Sequence, residues 1–195
     1  GSIRLLNVTT ARDEAAAGLL RAHGYALDRH FWHMELDLTA TLPAVDPPEG
    51  ISIRGFRRAT DTPAVHEVLQ VAFEGHYLYT PTPFVEWVKE LDKESFEEDL
   101  WLVATESERV VAALSGRRML GEGWVSELGV LPQWRGRGIG AALLAGIFRI
   151  FKDRGFETAV LNVDAANATG ATALYERVGM RVRLRWDLYA KTLGS

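Results

Sequence analysis

The sequence predicts an α+β domain built around a mixed β-sheet. Strand-like runs at 100–104, 110–117 and 124–130 are separated by short turns, as in an antiparallel meander. Apolar residues then recur at helical spacing from Ile139 to Phe151. A further strand at 158–163 and another helix follow, so strands and helices share one sheet.

Length and composition narrow the class of protein. The chain has 195 residues, 47% of them hydrophobic and 25% charged, which is typical of one soluble globular domain with a short addition. It has no cysteine, which excludes disulfides, thiolate metal sites and a cysteine nucleophile. We see neither a signal peptide nor a membrane-length apolar run, so we expect a cytoplasmic protein without a membrane partner. The net charge of −4 disfavours nucleic acid and suits a cationic amine.

A glycine-rich junction joins the third meander strand to the long helix. Gly136, Gly138 and Gly140 alternate along it, with Arg135 before the first glycine and Arg137 between the first two. A helix start has unpaired backbone N–H groups and the positive end of the helix dipole. Glycine lets the backbone approach a ligand closely. The junction therefore predicts a cradle for phosphate oxygens.

This junction resembles the pyrophosphate loop of one enzyme family. A P-loop would have Lys and then Ser or Thr after its last glycine, where this chain has Ala141 and Ala142. Arg135-x-x-Gly138-x-Gly140 instead fits the (Arg/Gln)-x-x-Gly-x-(Gly/Ala) signature of the GNAT-superfamily N-acetyltransferases. In that family the loop holds the pyrophosphate of acetyl-CoA, so the resemblance implies acetyl-CoA as co-substrate.

A second stretch carries the same resemblance. The strand at 158–163, which contains Asn162, is followed by Asn167 and by the helical run Leu174-Tyr175-Glu176, which Gly179 ends. We expect a helix over 167–178, with Asn167 as its cap and Tyr175 facing the same ligand. The order of elements over 51–193 is that of the family. The resemblance therefore implies the GNAT fold, a central, mixed, splayed sheet with helices on both faces.

The resemblance also assigns roles to residues. Tyr175 is the candidate general acid for the leaving thiolate. Backbone N–H groups at Leu128-Gly129-Val130 are expected to polarise the thioester carbonyl, with a strand bulge near Gly129. The pantetheine arm is expected to pair along this strand end. The residues expected to bind the co-substrate are Leu128, Gly129, Val130, Arg135, Gly136, Arg137, Gly138, Ile139, Gly140, Ala141, Asn162, Asn167 and Tyr175.

The general base is less constrained by the sequence. Glu127 is the first candidate, since it stands just before the co-substrate strand end, but its side chain could point to the other sheet face. In some family members the residue at the Trp124 or the Ser126 position is the base, and Trp124 cannot accept a proton. The other places to look for the base are Asp164 and Asn162, whereas Glu122 and the loop from His76 to Tyr79 are expected to line the acceptor side. We expect no metal site.

The N-terminal segment resembles the end of the same chain. Leu6-Asn7-Val8 matches Leu161-Asn162-Val163, and Trp32 matches Trp186 after one inserted residue. We therefore divide the chain into residues 1–38, the degenerate strand-helix-strand tail of a preceding GNAT repeat, a proline-rich linker at 39–50, and a GNAT domain at 51–195. The tail is too short to bury a core alone. It must pack on this chain, on a second copy in a homodimer, or on a missing first repeat.

The predicted function is transfer of the acetyl group of acetyl-CoA to a primary amine of a small molecule. The arrangement resembles the two-copy members of the family, mycothiol synthase among them, in which the C-terminal copy is the active one. Two alternatives stay open at this point. One is a protein N-terminal or lysine acetyltransferase, and the other is a non-catalytic acyl-CoA-binding module.

Overall fold

A computed structural model describes residues 2–167 and 169–194, which form one eight-stranded sheet with helices on both faces. The strands are β1 (Ile3–Thr10), β2 (Ala26–Asp37), β3 (Ile51–Gly55), β4 (Trp101–Glu106), β5 (Arg109–Met119), β6 (Glu122–Val130), β7 (Thr158–Asp164) and β8 (Arg181–Leu193). The α-helices are α1 (Glu14–Ala22), α2 (Arg58–Phe73), α3 (Phe84–Val88), α4 (Ile139–Asp153) and α5 (Ala171–Arg177). The predicted meander and long helix are confirmed.

The sheet is mixed and opens in its middle. Its strand order is β1-β8-β2-β7-β6-β5-β4-β3, and β6 and β7 are the parallel neighbours. These two strands pair through Gly123↔Ala159 and Trp124↔Val160, and the pairing does not extend toward their C-terminal ends. The predicted splayed, mixed sheet is therefore confirmed, and the gap between the two strands is where a ligand can enter.

Two helices cover opposite faces of β6 at glycine positions. A Cβ atom at Gly129 would lie 2.9 Å from the Cβ of Ala72 on α2. A Cβ atom at Gly123 would lie 2.5 Å from the ring of Phe151 on α4. The core is densest under α4, where Leu143, Ile147 and Phe148 are completely buried. The glycines thus bring both helices close to the strand that carries the predicted site.

The N-terminal segment adds two strands to this same sheet. Strand β2 lies between β7 and β8, and β8 lies between β2 and β1. Phe31 pairs with Trp186 and Trp32 pairs with Arg185. A local two-fold axis of the antiparallel β2–β8 ladder therefore relates Trp32 to Trp186, the two tryptophans that match in the sequence. The segment docks on its own chain, a question that the sequence left open. Its origin in a preceding repeat stays a prediction.

Residues 39–50 contain no helix or strand in the described structure, in line with the proline-rich sequence. The segment is nevertheless held on the domain. The Nζ atom of Lys152 on α4 donates to the carbonyl oxygen of Ala40 at 2.9 Å. Leu38, immediately before it, is completely buried. The segment that connects the tail to the domain therefore packs against the domain.

Candidate functional site

The start of α4 forms a cradle of backbone N–H groups. Gly138 is the residue before the helix and has φ 89°, a left-handed conformation that favours glycine. The N–H of Ala142 donates a hydrogen bond to the Gly138 carbonyl oxygen at 3.1 Å, and this is the first hydrogen bond of the helix. The N–H groups of residues 139–141 therefore have no partner within the helix, which is the arrangement that binds phosphate oxygens.

A groove of about 640 Å³ runs along this cradle toward α5. Its walls come from the end of β6, the glycine-rich loop, the first turn of α4 and one side of α5. Of the residues predicted to bind the co-substrate, the groove is lined by Leu128, Val130, Arg135, Gly136, Gly138, Ile139, Gly140, Ala141 and Tyr175. The sequence did not identify Val45, Trp134 and Leu174, which also line it.

The two arginines of the loop have different environments. Arg135 donates from Nε to the Val130 carbonyl oxygen at 3.0 Å and from a terminal nitrogen to that of Ala72 at 3.1 Å. It therefore joins the end of β6 to the last turn of α2 while its charge remains at the groove. Arg137 instead forms an ion pair with Glu106 at 3.0 Å and does not line the groove. The prediction that Arg137 binds the co-substrate stays a prediction, and the structure shows its side chain paired with an acidic neighbour on β4.

The strand irregularity lies elsewhere than predicted. Gly129 pairs regularly with Ala113, whereas the extra residue is Ser126, between the pairs Ser115↔Glu127 and Gly116↔Val125. The strand that was predicted to carry a bulge near Gly129 therefore has one, three residues before that glycine. That glycine faces α2 and does not line the groove, since it serves close packing.

A second cavity of about 560 Å³ lies where β6 and β7 diverge. The bulge places Val125, Ser126 and Glu127 along one wall, and Asn162 and Asp164 from β7 form another. The loop after α2, residues 74–79, covers it as the sequence suggested. Glu122 does not line this cavity, because it pairs with Arg183 at 3.2 Å.

Two of the predicted co-substrate residues belong to this second cavity. Asn162 lines it without reaching the groove, and its Oδ1 atom lies 2.9 Å from Nδ1 of His33. Asn167 also lines it and is not the helix cap, since α5 begins at Ala171 after Gly170. The Oδ1 atom of Asn167 accepts from the N–H of Thr169 at 2.7 Å, which forms a local turn. The assignment of both residues to the co-substrate stays a prediction, and the structure places them beside the second cavity.

Glu127 points into the second cavity and is half-buried there. Burial raises the pKa of its carboxyl group. The hydroxyl of Ser115 donates to Glu127 Oε2 at 3.3 Å, which opposes that rise in pKa. A carboxylate with a raised pKa is a better proton acceptor for an amine than a solvated one.

Tyr175 lines both the groove and the second cavity. Burial raises the pKa of Tyr175 to about 12, so its hydroxyl stays protonated at neutral pH and can donate. Its position depends on close packing of α5 against α4. A Cβ atom at Gly140 would lie 3.0 Å from Cδ2 of Leu174, the residue before Tyr175. The third glycine of the motif thus admits the helix that carries the tyrosine.

The two cavities share a border, where a donor and an acceptor molecule would meet. The residues that line both are His76, Leu128, Arg135, Thr169, Ala171 and Tyr175. Glu127 lies on the second cavity, one residue before Leu128. The arrangement therefore brings the groove with its free helix N–H groups, the Glu127 carboxyl group and the Tyr175 hydroxyl group to one junction.

The N-terminal segment supplies residues that sequence reasoning missed. Arg29 and Phe31 on β2 line the second cavity. Arg29 forms an ion pair with Asp164 at 2.9 Å, and its guanidinium carbon lies 4.4 Å from the ring centre of Tyr77. The Tyr77 hydroxyl donates to Asp28, also on β2. No local signal marked these residues, since their role depends on β2 entering the sheet beside β7.

Residues 2–167 and 169–194 contain no helix that is both long and apolar enough to cross a membrane. They also contain no group of three or more His, Asp or Glu side chains placed to hold a metal ion.

Comparison with known proteins places this geometry in context. The model of the acetyltransferase (GNAT) family matches residues 63–180. The mycothiol acetyltransferase of Pseudarthrobacter chlorophenolicus is 32% identical over 192 residues, covering 90% of this chain and 55% of that protein. That of Salinispora arenicola is 32% identical over 184 residues, covering 90% of this chain and 58% of that protein. The chain thus spans little more than half the length of these relatives. The crystal structure of a GCN5-related N-acetyltransferase from Sphaerobacter thermophilus matches with a TM-score of 0.89 and 35% identity, covering 98% of this chain and 60% of that one.

Proposed function

Because the chain belongs to the acetyltransferase (GNAT) family, we propose that it transfers the acetyl group of acetyl-CoA to a primary amine of a small molecule. One observation carries this proposal. The groove at the start of α4 and the cavity between β6 and β7 meet at Tyr175, with Glu127 beside the junction. Acetyl transfer needs an activated acyl group and an amine side by side, and this junction can hold both.

The groove residues fit the phosphates of acetyl-CoA. Residues 139–141 offer N–H groups that no helical carbonyl accepts, and Arg135 adds a positive charge. Leu128 and Val130 border the groove toward the junction and offer an apolar wall for the pantetheine arm. The co-substrate supplies a thioester, which is an activated acyl group.

The second cavity fits a small, cationic acceptor. Its volume of about 560 Å³ lies within the usual range of small-molecule sites, about 300–1,000 Å³. Glu74, Glu127 and Asp164 line it, and Arg29 partly offsets their charge through its pair with Asp164. The name of the relatives, mycothiol acetyltransferase, also supports a small-molecule acceptor.

The proton transfers follow from the two buried groups. Glu127 takes a proton from the bound ammonium, which frees the lone pair that attacks the acetyl carbon. Tyr175 gives its proton to the departing thiolate, which a hydroxyl with a pKa of about 12 can do when it is close enough. The buried setting strengthens both interactions, since little water competes there.

Product analysis tests this proposal against its two alternatives. We expect release of CoA thiol and acetylation of one class in a panel of small primary amines, with no acetylation of peptide N-termini or lysines. Acetylation of peptides alone would favour a protein acetyltransferase. Saturable acetyl-CoA binding without turnover on any panel would favour a non-catalytic acyl-CoA-binding module.

Partners and location remain predictions. Strand β1 is at the edge of the sheet, and its Ile3 and Val8 are about 60% exposed, as is Leu19 on α1. This apolar edge suits either a second copy of the chain or a preceding repeat. Light scattering distinguishes a homodimer from a monomer. A cytoplasmic location and the absence of nucleic acid, membrane and metal partners also stay predictions.

A further inference from the structure

His76 has an unusual position in the loop that follows α2. It borders both the groove and the second cavity. Its Nε2 atom is buried and has no hydrogen-bond partner among the residues that the structure describes. Buried polar atoms without partners are rare in folded proteins, because leaving one unpaired costs about 1–3 kcal/mol. An orphaned nitrogen at a ligand junction therefore indicates a partner that arrives with the ligand.

The loop holds this imidazole in place. The N–H of His76 donates to the Phe73 carbonyl oxygen at 3.0 Å, and the N–H of Tyr79 donates to the His76 carbonyl oxygen at 3.0 Å. The imidazole ring packs against the ring of Phe73 with their centres 4.9 Å apart. The side chain is thus positioned before any ligand binds, as a group that acts on a reacting atom needs to be.

The charges around His76 favour its neutral form. Burial lowers the pKa of His76, the positive charge of Arg135 lowers it further, and the negative charge of Asp164 acts in the opposite direction. The other ionisable groups that line its cavity are Glu127, Arg29 and Tyr175 on facing elements and Glu74, Tyr77 and Tyr79 on its own loop, and Arg177 lines the groove. A neutral imidazole at physiological pH can accept a proton.

The proton balance leaves a role for such a group. An ammonium loses two protons when it becomes an amide, and one proton ends on the CoA thiol. Glu127 accepts the first of the two, and Tyr175 supplies the thiol proton, so a second base can accept the second amine proton. A base near Tyr175 can also return that proton to the tyrosine before the next turnover.

We propose that His76 is a second catalytic residue of this acetyl transfer. Its Nε2 atom takes the proton that the amine nitrogen loses as the N–C bond forms and the C–S bond breaks, and it then returns that proton to the Tyr175 oxygen. The transfer to the tyrosine is downhill, since an imidazolium is a far stronger acid than a phenol. Glu127 releases the other proton to solvent, which balances the reaction. This inference rests on the proposed function.

The test compares the wild type with His76→Gln and with His23→Gln, an exposed histidine beyond the end of α1. We expect His76→Gln to lower kcat about 100-fold, with unchanged acetyl-CoA affinity by calorimetry and an unchanged Tm. The acid side of the pH–kcat/KM profile should fall with a slope of two in the wild type, because two bases must be unprotonated. It should fall with a slope of one in His76→Gln. The His23→Gln variant should match the wild type.

Two further measurements keep the inference separate from the proposed function. Imidazole added to His76→Ala should restore part of the lost rate, and NMR titration of the free wild type should give His76 a pKa below the ordinary histidine value. A wild type without turnover would contradict the proposed function. An active wild type that His76→Gln matches in rate and acid slope would contradict the role of His76 alone.

Discussion

Ser115 on β5 donates its hydroxyl hydrogen to Glu127 on β6 across 3.3 Å, one step from the extra residue Ser126. The pairing ties the candidate base to a buried neighbour, since Ser115 is 2% exposed. A hydrogen bond to a carboxylate stabilises its ionised form, while burial disfavours that form. The balance between these two effects sets where Glu127 titrates.

Replacing Ser115 with Ala should raise the pKa of Glu127 further. The lost hydrogen bond had favoured the ionised carboxylate, so the acid limb of the kcat/KM profile should move to higher pH. The Glu127→Gln variant is the control, because it should reduce the slope of this limb from two to one and lose about 100-fold or more of the rate. An acid limb that stays in place in Ser115→Ala would rule out Glu127 as its origin.

The same carboxyl group should cost the protein stability at neutral pH. The pKa of Glu127 is raised in the folded state. Its contribution to the free energy of unfolding is therefore fully present below the unfolded pKa and is lost as pH rises through the folded pKa. Glu127→Gln should therefore have a higher Tm than the wild type at neutral pH and an equal Tm in acid. Thermal melting across pH checks this, and a lower Tm at neutral pH would contradict it.

Tyr175→Phe should lower kcat by about 100-fold and leave the acetyl-CoA dissociation constant nearly unchanged. The hydroxyl acts on the leaving thiolate, whereas the ring that packs between the cavities is retained. Since the pKa of Tyr175 is about 12, the wild-type rate should show no alkaline loss from this residue near physiological pH. The two proteins should also be compared on a thioester with a poor thiolate leaving group. If Tyr175→Phe turns this thioester over as fast as the wild type, Tyr175 is not the general acid.

Gly138→Ala should disturb the phosphate cradle directly. An alanine at φ 89° is strained by about 1–2 kcal/mol, so relief of that strain would displace the first turn of α4. We expect acetyl-CoA affinity to fall roughly tenfold by calorimetry. Gly18→Ala in α1 is the matched control, because open space surrounds that position and helical alanine is favoured over glycine. Equal affinity in the two variants would refute the cradle.

Asp61→Ala should destabilise the fold by about 3 kcal/mol, because it leaves the guanidinium of Arg54 without its buried partner. Arg54 holds the pKa of Asp61 below its usual value. The stability that ionised Asp61 contributes is therefore present above its unfolded pKa and is lost as pH falls through its folded pKa. Denaturant unfolding of the wild type and the variant should give curves that converge in acid. A constant difference at every pH would show that the ion pair is not the cause.

The sequence predicted the parts of the fold that local pattern controls. The helical spacing of apolar residues predicted α4, turn residues predicted the β4–β6 meander, and the glycines of the motif predicted the cradle. The prediction that Glu127 is the base stays open, although the structure points this side chain into the second cavity.

The features that the sequence could not predict share a physical cause. The extra residue of β6 is Ser126, whereas Gly129 admits α2, a contact between residues far apart in sequence. Arg137 and Asn162 are held by Glu106 and His33, and such pairs depend on which strands become neighbours. Arg29 carried no local signal for the same reason. Strand order is a long-range property, and spacing along the chain does not encode it.

Titration of acetyl-CoA into the wild-type protein by calorimetry tests the central claim most directly, with acetyl-pantetheine as the ligand that lacks the pyrophosphate. The account predicts one site per chain with a dissociation constant near micromolar, about −8 kcal/mol, and far weaker binding of acetyl-pantetheine. No binding of acetyl-CoA, or equal binding of the two ligands, would contradict a phosphate cradle at the start of α4.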